Sequence, residues 1–183
     1  MRNRKAFAIV VAIVGLSGTR AGAQDAELES IARAYFEVLQ TEGMTSVGQF
    51  MHPDALAAFK EMLLPVYEAE AAAGGFQLRA MTFGHEATLE DVRSRDPESF
   101  LNGFMNIIAA QAGDARISFD RLEILGVVPE GEQRHVLARI TVGVDQLSIT
   151  QFEVLSFVPY EGSWKMQLNG EMQGLAAALT SQL

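Results

Sequence analysis

The chain has 183 residues, a formal net charge of −9, 49% hydrophobic residues and no cysteine. That acidity excludes a nucleic-acid or anionic-membrane surface as a natural partner, because like charges repel. The missing thiols exclude disulfides, so the fold must rest on an ordinary apolar core, which a chain of this length can form.

Residues 1–23 read as a secretory signal peptide: basic Arg2, Arg4 and Lys5, an apolar run Ala6–Leu16, then small residues Ala21-Gly22-Ala23 at the cleavage spacing. The apolar run is too short to span a bilayer. Cleavage after Ala23 removes Arg2, Arg4, Lys5 and Arg20 and no acid, so the remaining chain is still more acidic. An exported, periplasmic or secreted protein is expected, with one domain over 24–183.

Leu28, Ile31, Ala32, Tyr35, Phe36 and Leu39 recur at helical spacing and predict an amphipathic helix, capped by Asp25 and ended by Gly43. Residues 44–52 form a short connecting turn. Pro53-Asp54 opens a second helix with buried Leu56, Phe59, Leu63 and Tyr67. Pro65 should kink or split it, and Gly74-Gly75 ends it. "FQLRAMTFG" (76–84) alternates and predicts a strand. Thr88 and Asp91 form a capping pair for a helix over 89–94. Asp96-Pro97-Glu98 starts another, with Phe100, Leu101, Phe104, Met105, Ile107 and Ile108 inward and Gly113 as its stop.

From Ile117 the apolar period changes to two, predicting strands over 117–128, 134–144, 148–158 and 163–169. The short links "PEGEQ", "DQL" and "PYEGS" make them antiparallel neighbours in a meander. Helices first and an antiparallel sheet last define an α+β fold.

No GxSxG, P-loop, GxGxxG or HExxH motif is present. The three histidines have no metal-ligand spacing: His52 ends the turn before Pro53, His85 lies in a loop, and His135 faces outward on its strand. No metal or cofactor is expected. Met51, Met62, Met81, Met105, Met166 and Met172 read as core filling. With a turn at Asp145-Gln146, Gln151 falls opposite Ile140 and Glu153 opposite Ala138, both polar on an otherwise apolar strand face. A register slip of one would let Glu153 pair with Arg139 or Arg121. The sole tryptophan, Trp164, shares one face of the last strand with Met166 and Leu168, as core or pocket wall.

"IARAYFEVLQTEGM", "VGQFMHPDAL", "RHVLARITVGV" and "QFEVLSFVPYEGSWKMQLN" resemble the first helix, second-helix turn and closing hairpins of the nuclear-transport-factor-two-like superfamily, the cystatin-like α+β cone. Residues 61–113 depart from its pattern. The resemblance implies a curved sheet wrapped on helices with a pocket at its open end, and a family of both enzymes and non-catalytic binding modules. It makes Tyr35, Gln151, Glu153 and Trp164 the pocket candidates. The expected role is binding of a small apolar or amphipathic ligand or an envelope protein, with a homodimer through the sheet. The alternatives are an isomerase, dehydratase or cyclase using a carboxylate and Tyr35, or a structural protein whose cavity is filled by side chains.

Overall fold

The computed structural model describes residues 15–111 and 117–180. The basic start, most of the apolar run 6–16 and Gly113 lie outside them. Helix α1 (Gly15–Thr41) runs through the expected cleavage position and through Asp25, so Asp25 is inside the helix rather than its cap. Its C-terminus is closed as expected: Gly43 takes φ 80° and donates its N–H to Val38 O. The predicted stripe is its inner face, with Leu28, Ala32, Phe36 and Leu39 buried.

A 3₁₀ segment (Met44–Phe50) leads to α2 (Pro53–Ala72). His52 is the N-cap, its side chain accepting the Asp54 N–H at 3.2 Å. Leu56, Phe59, Leu63 and Tyr67 are buried as predicted, but α2 is continuous through Pro65.

The strand expected over 76–84 is instead a helix, α3 (Gln77–Phe83). Its first donors are satisfied from outside: the Glu70 carboxylate accepts the Leu78 and Arg79 N–H groups. Only Thr82 is fully buried, while Phe76 and Met81 are exposed. Met81 is therefore surface, not core filling. Helices α4 (Leu89–Ser94), with the complete Thr88–Asp91 capping box, and α5 (Pro97–Gln111) match the sequence reading.

The sheet is a four-strand antiparallel meander in the order β1 (Ile117–Glu130), β2 (Gln133–Val144), β3 (Leu147–Tyr160), β4 (Ser163–Met166). Two-residue turns join the strands. Their first residues, Gly131, Asp145 and Glu161, all have positive φ, the geometry that matches strand twist. Register breaks between Phe119 and Arg121 and between Ile124 and Gly126 are bulges that bend β1.

The helices cover one face of the sheet, against Val136, Ala138, Ile140, Leu155, Phe157, Trp164 and Met166. The fourth strand ends at Met166, three residues short of the prediction. There the chain turns into α6 (Gly170–Thr180), a segment for which no element was predicted. Asn169 is the reason: its Oδ1 accepts the Met172 N–H at 2.9 Å and starts the helix. Helix α6 returns onto α2, with Ala176 buried and Thr180 Oγ1 donating to Met62 O at 3.0 Å. No described helix is long and apolar enough to cross a membrane.

Candidate functional site

The short β4 decides where the site lies. It pairs with β3 only over Phe157–Tyr160. Beyond that point β3 has β2 on one side and, on the other, the segment that opens α6. A cavity of about 290 Å³ fills the space between this part of the sheet and the helices. Its apolar wall comes from α1 (Leu39), α2 (Phe59), α5 (Phe104, Ile108) and the inner sheet face (Ile140, Val142). Met44, Met51, Met105, Met166 and Met172 also line it. Methionine here shapes a pocket as well as filling the core, and its unbranched thioether adapts to varied occupants.

The polar lining is concentrated on β3 and the start of α6. The register is as predicted, with Gln151 opposite Ile140 and Glu153 opposite Ala138. Gln151, Glu153 and Tyr35 all line the cavity, together with Gln167, Asn169 and Glu171. Glu153 is half-buried. It does not pair with Arg139 or Arg121, because the register does not slip. Arg139 stands on the opposite face, where its Nη1 donates to Glu123 Oε2 at 2.9 Å and its guanidinium lies 5.2 Å from the Phe152 ring centre. The Glu153 carboxylate instead accepts from Asn169 Nδ2 at 3.4 Å.

Burial pushes the Glu153 carboxyl above the usual carboxylate range; the Asn169 hydrogen bond opposes this and the Glu171 charge adds to it. Tyr35 is held up to about 12, first by burial and then by the charge of Glu153. Among the described residues its hydroxyl has no hydrogen-bond partner; its ring meets Phe50 edge-on at 5.7 Å. The site therefore presents one phenolic donor and one poorly solvated carboxyl group to a largely apolar space.

Trp164 does not line this cavity. It is buried in the core, with the Arg134 guanidinium 5.7 Å from its ring centre. His135 is outward as expected, bonded to Ser156 Oγ at 2.9 Å and Glu130 Oε2 at 2.7 Å. The sequence reading missed Asn169 and Glu171. The signal for them was present: Asn169-Gly170-Glu171 is a cap, a break and a first-turn acid.

No protein-family model, curated protein or solved structure matches the chain.

Proposed function

We propose that this is an exported single-domain binding protein of the nuclear-transport-factor-two-like type, which takes a small apolar or amphipathic molecule into the cavity between sheet and helices. The observation that carries the reading is the convergence of Tyr35, Gln151 and Glu153 on one largely apolar space. Its size sets the scale of the ligand. A cavity of about 150 Å³ holds a benzene, and this one measures about 290 Å³. The occupant is then a short chain or a pair of rings rather than a large lipid.

Native mass spectrometry of the protein purified from its own compartment tests this. A small-molecule mass should accompany the wild type and be missing from Val142→Trp, which fills the cavity from β2. Absence of any bound mass, together with no saturable calorimetric signal from 1-octanol, overturns the reading.

A second reading is favoured by one specific feature: a carboxylate and a tyrosine share the cavity. Glu153 as base would take a proton from a carbon next to a carbonyl, and the Tyr35 hydroxyl would donate a hydrogen bond to the resulting enolate oxygen. In D₂O, the α-hydrogens of cyclohexanone should then exchange faster with the protein present, and Glu153→Gln should abolish the acceleration. No acceleration by the wild type rules against catalysis of this kind.

A homodimer through the sheet is a third element of the proposal. It is supported by Phe152, Val154 and Leu125, which are exposed large hydrophobic residues. Sedimentation equilibrium of the wild type and Phe152→Lys tests it: a dimer should become monomeric in the variant.

A further inference from the structure

Two carboxylates, Glu153 and Glu171, stand on the cavity wall, and no Lys, Arg or His is among the described residues that line it. Glu153 is half-buried, and its hydrogen-bond partner among the described residues is the neutral Asn169 amide. Arg139, next to the Ala138 that pairs with Glu153, is held on the other face of the sheet by Glu123. At the start of α6 two donors are already engaged: the Met172 N–H goes to Asn169 Oδ1 and the Gln173 N–H to Asn169 O. Glu171 adds a negative charge at the same helix end.

An anionic head group entering this cavity would meet the half-buried Glu153 and the exposed Glu171. A neutral head would leave the Glu153 charge without an ionic partner. A cationic head would supply that partner, and Tyr35, close enough to feel the Glu153 charge, adds a ring on the same wall.

Resting on the binding reading above, we infer that the cavity selects a small amphipathic amine, with its apolar body among the methionine and phenylalanine side chains and its ammonium group on Glu153. Glu171, exposed near the start of α6, contributes attraction without the direct contact.

Calorimetric titration with n-octylammonium, 1-octanol and octanoate at neutral pH and low salt tests the charge preference at constant tail. Octylammonium should bind at least about tenfold tighter than octanol, a gap of about 1.4 kcal/mol, and octanoate should bind most weakly. In Glu153→Gln the ammonium-to-alcohol ratio should fall to about one. In Glu171→Gln it should fall by a smaller factor, and this exposed substitution decides the matter if the first variant does not fold. Equal binding of octylammonium and octanol by the wild type, tighter binding of octanoate, or an unchanged ratio in both variants overturns the inference and leaves the binding reading standing. Failure of all three probes to saturate overturns the inference and, where native mass spectrometry also finds no bound mass, the binding reading with it.

Discussion

The Thr82 hydroxyl has a single proton, and it goes to Leu78 O at 2.7 Å. The 3.0 Å contact between Tyr67 and Thr82 must therefore have the tyrosine as donor. The two substitutions at this pair should not be equivalent. Tyr67→Phe removes a donor and leaves a Thr82 hydroxyl that still donates to Leu78 O, costing about 1 kcal/mol. Thr82→Val leaves the buried phenol unpartnered as well, costing about 1–3 kcal/mol. Urea denaturation of both variants checks the order. Glu153 makes an opposite prediction. Its folded pKa lies above the ordinary value, so between the two values the folded state binds more protons and stability falls as pH rises. Glu153→Gln should raise Tm at neutral pH, and the gain should vanish below the ordinary carboxylate range, where the wild-type side chain is protonated in both states. A Tm difference that does not change with pH would contradict this. The backbone partner of Glu153 was legible in the sequence, because the Asp145-Gln146 turn sets the register. Its side-chain partner was not, since Asn169 reaches it only because β4 stops early.

Among the elements, the hairpins were the most legible because two-residue turns leave little freedom. Each joins strands whose inner and outer residues alternate, and a one-residue slip would reverse the faces. The last turn still carries strain. Glu161 sits at φ 49° and Gly162 at φ 84°, and a glutamate gains nothing from the left-handed region. Glu161→Asn, a residue that tolerates this conformation, should stabilise the protein by about 0.5–1 kcal/mol in denaturant titration. The misread α3 and the overlooked α6 share a feature. Both are short, and both begin on a capping group that alternation does not register: a distant carboxylate, Glu70, for α3 and the Asn169 amide for α6. Alternation over 76–84 suggested a strand, yet Phe76 and Met81 are both exposed. The longer α2 and α5 were legible because each repeats its apolar spacing over several turns and begins with proline.

At the scale of the molecule, the order of helices before sheet followed from the change of period at Ile117, but the cavity did not. It depends on how long helices, a shortened strand and a terminal helix meet. Two aromatic residues link it to the rest of the core. Phe59 and Phe104 line the cavity, and their rings meet at 5.3 Å. Phe59 also meets Phe100 at 6.3 Å, and Phe100 meets Tyr67 at 5.7 Å and Phe83 at 5.5 Å. Phe100 is fully buried and joins α2, α3 and α5. Phe100→Ala should therefore cost about 3–5 kcal/mol, a large part of the about 5–15 kcal/mol that holds a typical domain together. Met105→Leu, on the cavity wall, conserves volume beside space that is not fully packed and should cost less than about 1.5 kcal/mol. Urea titrations followed in parallel by far-ultraviolet dichroism and Trp164 fluorescence check both values. Trp164 reports on the sheet, while dichroism is dominated by the helices. If sheet and helices share one core, the two probes should give coincident midpoints in the wild type and in both variants. Separated midpoints in Phe100→Ala alone would mean that the ring cluster holds the helices together without coupling them to the sheet, and that the cavity lies at the boundary between two units that unfold independently.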